Sequence, residues 1–144
     1  LNDMRALAER KNAGLLYSAN FSFGVQLLYK LAKLLGDEAG GYQFKIDETH
    51  HTEKLDSPSG TALALQKVLS STAYGASAAI EAHRVASAIG THRLEVSTND
   101  ERIIVEHQAL SRRSFAYGAV RGAEWLAART GCYDFQDVFP QILA

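Results

Sequence analysis

The chain has 144 residues, 15 Lys and Arg against 16 Asp and Glu, a formal net charge of -1, 47% hydrophobic residues and one cysteine. That balance offers no basis for a broad nucleic-acid or polyanion surface, the lone Cys132 excludes an internal disulfide framework, and no apolar run is long enough to span a membrane. The length suits a domain with a sizeable core, and the composition reads as a soluble chain of a reducing cytoplasm.

In chain order, residues 1–10 read as the tail of a helix and residues 15–18 as a short buried strand. Phe23, Leu27, Leu28, Leu31, Leu34 and Leu35 then fall on one face of a helix that ends near Gly36, and Gly40-Gly41 turns the chain into a strand. That strand, residues 42–47, alternates apolar and polar side chains and is expected to end just before His50. Asp56-Ser57-Pro58 is a turn signal. It leads into a helix over residues 61–73 that carries Leu63, Leu65, Val68 and Leu69. Residues 70–79 are rich in small side chains and read as a mobile loop.

Two strands are expected at 80–88 and 92–98, and Asn99-Asp100 turns the second into another at 102–109. A helix over 116–129 offers Val120, Trp125 and Leu126 for packing and stops at Gly131. The expected class is α+β, with a mixed, largely antiparallel sheet and helices on one face.

The run from Thr49 to Thr61 concentrates the chemistry, with His50, His51 and Lys54 followed by Ser59-Gly60-Thr61 at a helix start. Backbone N–H groups there lack intrahelical partners and carry the positive end of the helix dipole, while Gly60 lets a ligand approach; a carboxylate or phosphate suits such a place. Ser59 also reads as a plain helix cap. A free imidazole titrates near pH ~6.5 and a lysine near ~10.4, so the cluster supplies a proton donor and a fixed positive charge at neutral pH. Zinc is the weaker reading and no metal site is assigned, since His-His is not a usual ligand pair and Cys132 is the sole thiol. Elsewhere, Arg112 and Arg113 read as solvated, with Arg112 a candidate supporting residue. His83, His92 and His107 read as structural strand histidines, and Glu53 and Asp56 as partners that orient Lys54 and cap the turn.

Residues 48–62 follow the pattern E-x-H-H-x-x-K-x-D-x-P-S-G-T-A, which resembles the signature of the 4-hydroxy-tetrahydrodipicolinate reductase (dihydrodipicolinate reductase) family. The stretch from Ser18 to Val25 is similar to that family's A-N-F-S-x-G-V element. Gly90-Thr91-His92, His107-Gln108-Ala109, Ser111-Arg112 and Phe115-Ala116-Tyr117-Gly118-Ala119 resemble its later elements. The resemblance covers residues 15–139.

It implies the C-terminal, substrate-binding part of a two-domain enzyme of lysine and diaminopimelate biosynthesis that transfers hydride from NADPH or NADH to a cyclic dicarboxylate. By position it implies His50 and Lys54 as the catalytic pair, with Lys54 the proton donor, and His51, Ser59, Gly60 and Thr61 as dicarboxylate ligands. Ser18, Ala19, Asn20 and Phe21 would meet the nicotinamide end of the cofactor. The family's substrate domains associate through their sheets into a homotetramer, although the 70–79 loop is shorter than the family's.

No G-x-G-x-x-G follows a strand in these residues. Residues 1–18 therefore read as a remnant of a dinucleotide-binding domain with its hinge, and residues 19–144 as the substrate-binding and oligomerisation domain whose final helical segment packs toward the cofactor domain. On that reading the chain is a fragment, inactive by itself. The alternative is a non-catalytic dicarboxylate-binding or assembly module. Neither nucleic acid nor membrane is an expected partner.

Overall fold

The computed structural model describes residues 1–143. Its elements are α1 (Asn2–Arg10), β1 (Gly14–Tyr17), α2 (Phe23–Glu38), β2 (Gln43–His50), α3 (Gly60–Ser70), β3 (Ala79–Arg84), β4 (Thr91–Ser97), β5 (Arg102–Gln108), α4 (Arg113–Leu126), β6 (Gly131–Asp134) and α5 (Phe135–Leu143). Two compact units are present, one of residues 27–112 and one that joins residues 1–26 to residues from 113 onward.

The unit of residues 27–112 is built on a four-stranded sheet of order β3-β2-β4-β5, in which β2 runs parallel to β3 and antiparallel to β4, and β4 antiparallel to β5. The α+β class and the largely antiparallel second half are as expected from sequence. A parallel β2–β3 pair needs a crossover, which α3 and its flanking loops supply. Period-two alternation sends Phe44, Ile46, Glu48 and His50 of β2 to the buried face, with His92, Leu94 and Val96 of β4 beside them. Leu65, Val68 and Leu69 of α3 are buried, and α3 packs on β2 and β3. The opposite face is polar: Lys45 Nζ lies 2.9 Å from Asp47 and 2.6 Å from Glu81.

The strands differ from expectation at their ends. β2 continues through His50, because its pairing with β3 holds to the His50–Arg84 register position. β3 stops at Arg84, short of Ala88: the Val85 N–H still donates to His50 O at 2.8 Å, and a turn closed by Ala88 N–H to Val85 O follows. On α2 the buried residues include Leu28, Tyr29 and Ala32, whereas Leu27, Leu31 and Leu34 are exposed. The helix is apolar around most of its circumference, so its periodicity could not select the face that is covered. The 70–79 segment is fastened: Tyr74 N–H donates to Gly36 O at 2.9 Å, Gly75 N–H to Thr72 Oγ1 at 3.2 Å, and Gln66 Nε2 to Ala78 O at 2.8 Å.

In the other unit β1 and β6 pair in parallel, Gly14 against Gly131 through Tyr17 against Asp134. Phe135, Val138, Phe139 and Ile142 of α5 form its core, packed by Leu16, Phe21, Phe23, Trp125 and Tyr133. The packing face of α4 is made of glycine. A Cβ at Gly118 would lie 1.7 Å from Phe21 O, and one at Gly122 2.7 Å from Leu16 Cδ2. Val120, expected to pack, is exposed, because the helix turns its small residues rather than its large ones to the close approach. The short strand β6 had no separate sequence signal; four residues after a glycine are too few to show a period.

Candidate functional site

β2 and β4 carry the site. On their buried face the apolar pairs Phe44–Val96 and Ile46–Leu94 are followed in register by Glu48 opposite His92, and then by His50 at the strand end. Glu48 is 1% exposed, His92 3% and His50 7%. Buried polar groups cost free energy unless partnered, and the Glu48 carboxylate is partnered on several sides. The Ser59 N–H donates to both its oxygens, at 3.0 and 3.1 Å. Arg84 Nη1 lies 3.6 Å from Oε1, while His50 Nδ1 and His92 Nε2 lie 3.7 and 3.8 Å from Oε2.

Ser59 is the hinge between sheet and helix. Its extended backbone makes it the N-cap of α3, with Oγ accepting from the Ala62 N–H at 3.1 Å and lying 3.2 Å from His92 Nε2. Both its N–H and its hydroxyl are thus committed internally, which supports the cap reading of this serine. Gly60 is exposed at the helix start; Thr61 is buried, and its carbonyl accepts from Tyr29 OH at 3.3 Å.

Lys54 follows a turn closed by its own N–H to His51 O at 3.2 Å, and its Nζ lies 2.7 Å from Asp56 Oδ1. The Lys54 ammonium holds the Asp56 carboxyl below the usual carboxylate range, with a smaller contribution from the Gly60 backbone. A carboxylate therefore already rests between the lysine and the start of α3. Arg84 Nη2 donates to Asp56 O at 2.7 Å and ties this loop to β3. His51 is half-buried beside the turn, and Glu53 is exposed.

Burial pushes His50 below its ordinary range, an effect opposed by Glu48 and reinforced by Lys54 and Arg84. Burial likewise drives His92 down to about 3, helped by His50, His107 and Lys54. Both rings are neutral at pH 7, so the fixed cations of the site are Lys54 and Arg84 rather than an imidazolium. The two rings meet edge to face with centroids 5.0 Å apart. Glu48, His50 and His92 could in principle ligate an ion, each offering one atom within 4.8 Å of the others. Ser59 already engages Glu48 through its N–H and His92 through its hydroxyl.

Sequence reasoning missed Glu48 and Arg84 and treated His92 as background. The alternation of β2 was the available signal for Glu48, since a strand with Phe44 and Ile46 buried also buries residue 48. His83 sits across the sheet, on the polar face, 3.6 Å from Glu81. Arg112 and Arg113 are exposed.

Ser18 to Phe21 belong to the other unit. The Asn20 side chain accepts the Ser22 N–H at 2.8 Å, and Asn20 O accepts Ser18 Oγ and Gln26 Nε2 at 2.8 and 2.7 Å. This segment is a fixed turn that leaves Ala19 exposed.

A polar layer that closes the core stripe of β2 and β4, with a lysine and a helix start beside it, marks the candidate site of this α+β domain. Comparison with known proteins is specific: the sequence profile described as "Dihydrodipicolinate reductase, C-terminus" matches residues 24–139, and the chain belongs to this family. Among curated relatives, the 4-hydroxy-tetrahydrodipicolinate reductase of Neisseria gonorrhoeae (strain NCCP11945) is 35% identical, the match covering 94% of this chain and 57% of the relative. That of Pseudomonas fluorescens (strain SBW25) is 40% identical over 96% of this chain and 60% of its own length. The chain spans somewhat over half the length of these relatives. A solved structure described as dipicolinate-bound dihydrodipicolinate reductase from Paenisporosarcina sp. TG-14 shares the fold, with a TM-score of 0.72 at 21% identity, covering 95% of this chain and 59% of that one. None of the described helices is long and apolar enough to cross a membrane.

Proposed function

We propose that this chain is the substrate-binding and catalytic portion of a 4-hydroxy-tetrahydrodipicolinate reductase of lysine and diaminopimelate biosynthesis, acting on a cyclic dicarboxylate. The observation that carries this reading is the grip of Lys54 on a carboxylate at the start of α3, in a chain whose family signature is intact from Glu48 to Ala62.

The substrate carboxylates take the place that Asp56 occupies beside Lys54 and Gly60, with His51 and Thr61 as further ligands. Ser59 supports this pocket by holding the helix start in place. Lys54 Nζ delivers a proton to the ring carbon next to the one reduced. His50 is neutral at pH 7 and acts as a hydrogen-bonding partner to the reacting group. A nicotinamide cofactor, NADPH or NADH, supplies the hydride when bound, and the turn of Ser18, Ala19, Asn20 and Phe21, with Ala19 exposed, would meet its nicotinamide end. Residues 1–18 belong to the hinge with a cofactor domain, and residues 19–144 to substrate binding and to assembly as a cytoplasmic homotetramer.

Titration with pyridine-2,6-dicarboxylate, followed by backbone amide shifts, tests the site. Perturbations centred on residues 50–61 support it; shifts scattered elsewhere, or none at millimolar ligand, count against it. Turnover of the cyclic substrate by the longer protein tests the reaction.

A further inference from the structure

Glu48 is the most buried charged side chain of the site, yet nothing in the proposed reaction uses it. Its carboxylate faces Nδ1 of His50 across 3.7 Å, and that nitrogen is itself sealed from solvent without a hydrogen-bond partner among the described residues. A sealed nitrogen beside a carboxylate is favourable as an N–H and unfavourable as a bare lone pair, because a lone pair aimed at an anion is repelled while an N–H dipole is attracted. The second ring nitrogen lies on the side of Gly90. A Cβ there would stand 3.2 Å from Nε2, so the glycine packs closely on that edge of the imidazole without adding a side chain to it.

We infer that Glu48 is the positioning residue of this site, a buried carboxylate that fixes His50 in the Nδ1–H tautomer, so that Nε2 is unprotonated and accepts hydrogen bonds, while the same carboxylate anchors Ser59 and the start of α3. The inference deepens the proposed function and rests on it for its catalytic meaning: His50 then accepts and Lys54 donates, two roles that do not compete. The geometry singles out Glu48 among the groups around the ring. His92 offers Nε2, which is already 3.2 Å from Ser59 Oγ. Lys54 and Arg84 are donors and cannot receive the Nδ1 proton, and Asp56 is paired with Lys54. One carboxylate thereby couples both halves of the site, the histidine at the strand end and the helix start ten residues further along.

The tautomer is read directly from imidazole nitrogen shifts in the ¹⁵N-labelled chain at neutral pH. The expected result is a protonated Nδ1 and a bare Nε2 on His50; a bare Nδ1 in the unmutated chain overturns the inference, whatever any variant does. In Glu48→Gln the amide oxygen can keep the Ser59 N–H while its NH₂ faces the ring, so the proton should move to Nε2 and the titration midpoint of His50 should fall with the loss of a neighbouring negative charge. An unchanged tautomer and midpoint in a folded Glu48→Gln chain would also overturn it. The pyridine-2,6-dicarboxylate titration of the unmutated chain is read separately: failure to bind rejects the functional reading and leaves the tautomer result standing, whereas binding with the wrong tautomer rejects only the role of Glu48.

Discussion

Glu48 and His92 stand directly opposite one another across β2 and β4, the third pair in a buried row whose first two are Phe44–Val96 and Ile46–Leu94. The core stripe of the sheet thus turns polar one layer before the strands end. The same alternation that builds the core delivers a carboxylate and an imidazole to the edge of the site, and Ser59 bonds to both of them.

That burial makes the fold sensitive to acid. His92 is held at about 3 in the folded state against about 6.5 when unfolded, so between those values the unfolded chain binds the extra proton. Stability is full well above pH 6.5 and falls as the pH drops toward 3, by about 3 kcal/mol at pH 4.5 from this residue alone. His50, lowered as well, adds in the same direction. Urea unfolding at pH 7 and 4.5 measures the loss. His92→Gln should be less stable at pH 7 yet show a flatter pH dependence, and an equally steep slope in that variant would assign the acid sensitivity to other groups.

Lys54→Ala in the longer reductase should lower kcat by ~10²-fold or more with little change in cofactor KM, as removal of a general acid does. Steady-state kinetics with the cyclic substrate decide the point. An unchanged kcat would move the proton to water.

Asp56 competes with the ligand for Lys54 and for the start of α3. Asp56→Asn removes a negative charge from the pocket and frees the ammonium, and it should raise affinity for pyridine-2,6-dicarboxylate a few-fold, roughly the worth of one exposed ion pair. Calorimetric titration at low and high salt separates the cases: affinity should fall with salt in both forms, and more steeply in the variant. Weaker binding by Asp56→Asn would mean that the aspartate holds Lys54 in its working position rather than opposing the ligand.

Gly118 is required by a backbone approach rather than by its own conformation. A Cβ at this position falls 1.7 Å from the Phe21 carbonyl oxygen, which no side-chain rotation relieves. Gly118→Ala should destabilise the unit that holds α4 and α5 by ~3 kcal/mol or more, whereas Tyr117→Ala, at an exposed neighbour, should cost much less. Thermal unfolding of the two variants gives the comparison.

Much of this protein was legible in the order of its residues. Alternation located β2, the turn at Asn99-Asp100 separated the strands read on either side of it as β4 and β5, and the signature from Glu48 to Ala62 pointed to His50, Lys54 and the helix start, because period and local turn chemistry are properties of neighbours in sequence. Tertiary structure decided what depends on distant partners. Only strand register places Glu48 against His92 and carries β2 through His50 to Arg84. Only packing chooses Leu28, Tyr29 and Ala32 over Leu27, Leu31 and Leu34 as the covered side of α2, and glycines over Val120 on α4. The histidines show the same division. His50 and His92 were visible at once, but the burial that lowers the proton affinity of both was not, since desolvation is set by everything that surrounds a side chain in space and by nothing in its immediate sequence.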